Sequence, residues 1–230
     1  MNNWLDALAW LVDPENLTGP GGVPARTVEH LGYTLLTLVI AAAIALPIGY
    51  LIGHTGRGRG LAVAVSGGFR ALPTLGLVTV LALLMGLGIL APLTALVILA
   101  IPPLLAGAYA GVGAVERSTI DSARAVGMTE WQVFAQVELP LSLPLAISGL
   151  RSATLQVIAT WTVAAILPVG GLGRFMLDGL PVRNYAEVLG GAIVVILLAL
   201  VIDAVLAGTQ RIVIPRGVKA LRLASKRMHA

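Results

Sequence analysis

The chain has 230 residues, 57% hydrophobic and 11% charged, with a formal net charge of +4 and no cysteine. Soluble domains carry about 25% charged residues, so this composition, at a mean hydropathy of +0.93, excludes a water-soluble globular protein and points to an all-α integral membrane protein. Disulfides and thiolate metal sites are excluded, His30, His54 and His229 are too scattered for a metal site, and the basic residues sit beside apolar runs, which indicates membrane topology rather than nucleic-acid binding.

The first segment, 1–30, begins "MNNWLDALAWLVDPENLTG". Asp6, Asp13 and Glu15, the lack of a basic opening and the short apolar run are unlike a cleavable signal. Trp4 and Trp10 with Leu5, Leu8 and Leu11 predict a short helix lying in the membrane interface. A transmembrane domain over 31–212 follows, with five spans predicted at about 32–53, 61–86, 92–112, 143–167 and 188–212, each of about 20 residues or more. Pro73 is expected to kink the second span and Ile101-Pro102-Pro103 the third. Gly107 and Gly111 have the small-xxx-small spacing that permits close helix approach. A basic tail, 213–230, closes the chain.

Orientation follows from the positive-inside rule. If the spans alternate, Arg57, Arg59, Arg117, Arg124, Arg211, Arg216, Lys219, Arg222, Lys226 and Arg227 share one side, against Arg26, Arg174 and Arg183 on the other. The expected topology is therefore N-terminus out and C-terminus in the cytoplasm of a bacterial inner membrane, with the 113–142 segment inside the cell.

That segment contains "RSTIDSARAVGMTEWQVFAQVELPLSLP". Ser118 with Asp121 three residues on predicts a helix start, Gly127 its left-handed terminator. Thr129 with Gln132 predicts a second capped helix that presents Trp131, Phe134 and Ala135 on one face. Pro140 is expected to end it at Leu139. The first helix, at about 12 Å for eight residues, is too short to cross a bilayer. The result is a glycine-hinged elbow at 118–138.

Asp121-Ser122-Ala123, three residues, Gly127, nine residues, then Val137-Glu138-Leu139-Pro140 resembles the signature of ABC importer permeases: Glu-Ala-Ala, three residues, Gly, nine residues, Ile-x-Leu-Pro. "RALPTLGLVTVLALLMGLG" at 70–88, "IPPLLAGAYAGV" at 101–112 and "LPVGGLGRFMLDGL" at 167–180 look like the permeases of osmoprotectant uptake systems, which take up glycine betaine, choline and carnitine. The resemblance implies a type I ABC importer permease fold with a cytoplasmic coupling helix. It implies coupling to the ATPase through Asp121, Ser122, Ala123, Gly127, Val137, Leu139 and Pro140. It also implies three partners: a cytoplasmic ABC ATPase, a second permease subunit (identical or related) and an extracytoplasmic binding protein. The methionine importer permease shares the five-span plan and a similar Gly-Gly-Leu-Gly, so an amino acid is the alternative substrate. Relatives usually carry Gln-Thr-Ile-Pro where this chain has Arg70-Ala71-Leu72-Pro73.

The chain has no phosphate-binding loop, its only lysines being Lys219 and Lys226. It is therefore read as no enzyme and as holding no cofactor, the ATP being bound by the partner. Ser152, Gln156 and Thr160 recur every four residues in the fourth span, either lining a pathway or bonding between helices. The charges 168–187 (Arg174, Asp178, Arg183, Glu187) are either a docking surface for the binding protein or solvated loop residues. Trp161 reads as packing. Counted from the cytoplasmic ends of straight spans, Arg70, Arg151 and Asp203 lie roughly 13 Å deep. Asp203 is expected to pair with Arg151, leaving Arg70 either facing the pathway or snorkelling to the headgroups. As the only intramembrane acid, Asp203 is little on which to build the other class of reading, an ion-driven secondary transporter or channel.

Overall fold

The computed structural model describes residues 3–213, and among these the regular structure is helical throughout. The basic tail falls outside the described residues except for Val213, and with it Arg216, Lys219, Arg222, Lys226, Arg227 and His229. In chain order the helices are α1 (Asn3–Val12), α2 (Pro14–Leu17), α3 (Val23–Thr55), α4 (Arg59–Ala71), α5 (Thr74–Met85) and α6 (Leu90–Gly113). Then come α7 (Arg117–Ala125), α8 (Glu130–Val133), a π-helical turn (Phe134–Glu138), α9 (Leu139–Ala164), α10 (Gly173–Gly179) and α11 (Tyr185–Val213).

Four stretches are long and apolar enough to cross a membrane: Val23–Thr55, Leu90–Gly113, Glu130–Ala164 and Tyr185–Val213. The fifth expected span is not one helix. It is α4 followed by α5, bent by 86° at the break between them. Pro73 holds Leu72 out of helical geometry and sits, extended, as the N-cap of α5. The expected kink is thus a full break, and the depth of Arg70 counted along a straight helix no longer follows. Ile101-Pro102-Pro103 behaves differently and stays inside the single helix α6.

By packing, the chain divides into two compact units. The first comprises Met1–Ala41, Gly68–Ala100 and Ala153–Asp203. Its centre is Trp161, which is 1% exposed, donates from Nε1 to Thr37 Oγ1 at 3.0 Å and lies against the Tyr33 ring at 5.0 Å. This is the packing role expected of it. The buried His30 reaches the Ile158 carbonyl through Nε2 at 3.1 Å; since a carbonyl only accepts, Nε2 carries the proton. Trp10 anchors α1, its ring packing edge-on to Phe175 at 5.1 Å and against the Cβ-free surface of Gly190. Trp4, Leu5 and Leu8 stay exposed on α1.

The second unit comprises Ala42–Gly67, Ile101–Ser152 and Ala204–Ala230. Its helices touch backbone to backbone. A Cβ on Gly107 of α6 would lie 2.8 Å from the Gly149 Cα of α9, and one on Gly111 would lie 2.7 Å from the Ser142 carbonyl oxygen. Gly49 and Gly53 of α3 meet Ala108 and Val112 of α6 in the same way, each Cβ position 2.6 Å from the alanine or valine Cβ. The small-xxx-small spacing read at Gly107 and Gly111 is therefore a real interface, and Gly49 and Gly53 repeat it on α3.

Candidate functional site

The elbow lies wholly within the second unit. α7 starts two residues before the sequence reading, with Glu116 as N-cap and no side chain completing the cap. Ser118 therefore falls in the first turn rather than at the cap, and Ser122 Oγ donates to its carbonyl at 2.7 Å. Asp121 points instead toward Arg124, 3.8 Å away. The helix ends where expected. Gly127 has φ +87, its N–H donates to the Arg124 carbonyl at 2.9 Å and that of Met128 to the Ala123 carbonyl at 3.2 Å. These two bonds form a Schellman closure, which needs a residue in the left-handed region.

Two residues later Thr129 opens α8. The Gln132 N–H donates to Thr129 Oγ1 at 3.4 Å, and Gln132 Oε1 accepts from the Thr129 N–H at 2.8 Å, the reciprocal box read from the sequence. Arg124 then clamps the two helices together, Nε and Nη2 reaching the Glu130 oxygens at 2.8 and 2.9 Å. A two-point guanidinium–carboxylate pair fixes orientation as well as distance. Ala123 is buried, whereas Trp131 is 73% exposed.

Pro140 does not end the second helix. From Glu130 to Ala164 the chain runs on as one stretch, α8 passing through the π turn into α9. Leu139 and Pro140 head α9 directly after the π turn, whose wider geometry accommodates the proline. Val137 lies in the π turn itself, so the last four residues of the motif form the junction between elbow and span.

At that junction the structure brings together a pair the sequence reading missed. Glu138, 3% exposed, accepts from His54 Nδ1 at 2.5 Å, and His54 Nε2 lies 3.8 Å from Glu130 Oε2. His54 comes from the last turn of α3. The rings of Tyr50, His54 and Trp131 surround Phe134 with centroid distances of 6.1, 5.6 and 5.7 Å. A cavity of about 580 Å³ opens beside the junction, with Arg59, Arg117, Arg124, Asp121 and Tyr109 among its walls.

The candidate pathway residues do not behave as a set. Gln156 Nε2 donates to the Leu99 carbonyl at 3.1 Å, the bond between helices that was one of its two readings. Thr160 bonds back to the Gln156 carbonyl of its own helix at 2.8 Å. Ser152 is exposed, and so is Arg70 in the last turn of α4. Arg151 Nη1 donates to Gln210 Oε1 at 3.1 Å, and Gln210 Nε2 donates to the Pro144 carbonyl at 2.6 Å.

In the first unit, the Gly170-Gly171 step is also explained by geometry. Glu29 Oε2 accepts from the Gly171 N–H and from Arg26 Nη1, both at 2.9 Å, and a Cβ on Gly170 would overlap that carboxylate. Arg174 is paired with Asp178 and donates to the Ala165 carbonyl at 3.2 Å. Glu187 caps α11 reciprocally with Asn184, its N–H on Asn184 Oδ1 at 3.3 Å. Three of the four charges at 168–187 thus have local partners; Arg183 stands apart with φ +58.

A family model described as "Binding-protein-dependent transport system inner membrane component" matches residues 45–218. The chain is 31% identical over 205 residues to the glycine betaine/carnitine/choline transport system permease protein OpuCB of Bacillus subtilis, covering 89% of this chain and 94% of that one. It is 27% identical over 223 residues to the osmoprotectant import permease protein OsmW of Salmonella typhimurium, covering 94% and 100%. Among solved structures it is similar to a chain of the MetNI methionine ABC transporter in inward-facing conformations, with a TM-score of 0.71, 20% identity and coverage of 81% and 93%. At that identity the last likeness is one of fold.

Proposed function

The chain belongs to the family of binding-protein-dependent transport system inner membrane components, and from that premise we propose that it is the permease subunit of an ATP-driven importer of quaternary-amine osmoprotectants. Glycine betaine, choline and carnitine are the solutes named for its relatives. The observation that carries the coupling part of this reading is the elbow. It is a pair of short helices, closed by Gly127, capped by Thr129 and clamped by Arg124 on Glu130, set between two spans. Such a rigid surface feature, on a chain with no phosphate loop of its own, suits reception of force from a separate ATPase. Family membership brings that ATPase and a substrate-binding protein as partners; a second permease subunit completes the proposed pathway. ATP-driven closure of the ATPase pair would move two elbows together and rock the spans between inward-open and outward-open states.

The test is uptake of labelled glycine betaine into vesicles holding the permease, its ATPase and its binding protein. Uptake is expected only with ATP inside the compartment that the elbow faces. Uptake driven by a proton gradient without ATP would move the protein to the secondary transporters.

The proposed orientation is N-terminus out and C-terminus in, in the inner membrane of a bacterium. Reporters fused after Ala230 and at Pro14 are expected to read cytoplasmic and extracytoplasmic respectively. The same reading on both would reject an odd number of spans.

A further inference from the structure

The π turn at Phe134–Glu138 is the one place where the elbow is joined to α9, and its wide geometry has a local cause. Its closing bond runs from the Leu139 N–H to the Phe134 carbonyl, five residues back. In an α-helix the ring of Pro140 would press on the carbonyl four residues earlier, that of Gln136. Widening the preceding turn relieves that pressure, and π turns of this kind occur mainly where function maintains them. The turn leaves the Glu138 side chain buried, and a buried carboxylate is unfavourable unless it is paired and hydrogen-bonded.

His54 supplies the pairing. With a carboxylate as partner at 2.5 Å, Nδ1 carries the proton and donates. The other ring nitrogen faces Glu130 at 3.8 Å, and Glu130 is held by Arg124, which is itself 3.8 Å from Asp121. A line of polar side chains in contact therefore runs from α7 through α8 to the root of α9, and the end of α3 is inserted in it. Packing of Tyr50 and His54 on Phe134 ties the same two helices through their rings.

We propose that His54 is a positioning residue for transport coupling: by holding Glu138 it locks the π turn, so that a displacement of the elbow is passed to α3 and α9 together. The proposal rests on the reading of the elbow as the ATPase-coupling site. Docking of the ATPase uses the outer surface of the elbow, which its own caps and clamp maintain without His54. Transmission needs the junction to be stiff. When His54 is removed, the π turn absorbs the movement, and ATP is hydrolysed without a matching transfer of solute.

The experiment compares His54→Ala and His54→Asn in the full complex, with ATPase and binding protein, in vesicles. The Asn amide nitrogen takes the place of Nδ1 and keeps a donor toward Glu138. His54→Ala is expected to co-purify with the ATPase at the wild-type ratio and to hydrolyse ATP, while the ATP used per solute imported rises on the order of tenfold. His54→Asn is expected to recover most of the wild-type ratio. An unchanged ratio in His54→Ala, or loss of ATPase co-purification in both variants, overturns the proposal, the latter by making His54 a support for docking alone. Failure of the underlying reading has a different sign: ATPase co-purification would then persist when the elbow itself is misfolded at Gly127.

Discussion

Gly127→Val is expected to abolish both ATPase binding and uptake in a chain that still inserts into the membrane. Beyond its chain neighbours nothing lies within 4 Å of where its Cβ would be, so crowding is not the reason. The backbone is. At φ +87 an L-residue is strained by roughly 1–2 kcal/mol, and a β-branched one by more. Against this stands a nine-residue helix, α7, of a length that is marginal on its own. The strain is therefore large enough to reopen the Schellman bonds of Gly127 and Met128 and to turn α8 away from Arg124. The spans on either side do not depend on that turn, which is why insertion is spared. Gly127→Asn serves as the control, because asparagine tolerates the left-handed region and should keep most activity. Normal transport by Gly127→Val at normal abundance would remove the elbow from the coupling mechanism.

The elbow was legible in the sequence because everything that builds it is local. Its glycine, its hydroxyl cap and its capping partner lie within a few residues of each other, and spacing alone identifies them. The four long spans were legible for a related reason: each satisfies its own backbone hydrogen bonds, so length and hydropathy suffice. What was missed depends on partners far apart in the chain. Glu138 meets His54 across 84 positions and Gly171 meets Glu29 across 142. The available signals were faint: a carboxylate set between Val137 and Leu139 in an apolar stretch, and a histidine in the last turn of a span. The two prolines misread, Pro73 and Pro140, show the same limit from the other side. Proline reveals a missing donor and a fixed φ, but not whether the helix breaks, as before α5, or runs on through a widened turn, as into α9. The misplaced cap at Ser118 is an error of two residues, within the usual slack of helix ends.

Gly107→Leu is expected to destabilise the protein more than any single change at an exposed span position. At Gly107 the atoms a Cβ would meet are the Gly149 Cα at 2.8 Å and the Leu145 carbonyl oxygen at 2.9 Å, and both are backbone. Side chains can rotate away from an intruder, but a helix backbone cannot. α6 and α9 must therefore separate along their whole contact. Overpacking a close-packed interior costs about 1–3 kcal/mol where neighbours can adjust, and here they cannot, so the upper end of that range is expected. Gly32→Ala and Gly67→Ala are the comparison, since nothing lies within 4 Å of either position; both should melt in detergent at or above the wild-type temperature, in line with the better helix propensity of alanine. The loss at Gly107 also has a functional side. α7 hangs from the end of α6 and the π turn opens into α9, so the separation of these two helices sets the mount of the elbow. Gly107→Ala, with its smaller intrusion, is therefore expected to lose ATPase co-purification before it loses abundance. A Gly107→Leu variant that melts like the wild type would show that the α6–α9 backbone contact does not set that mount.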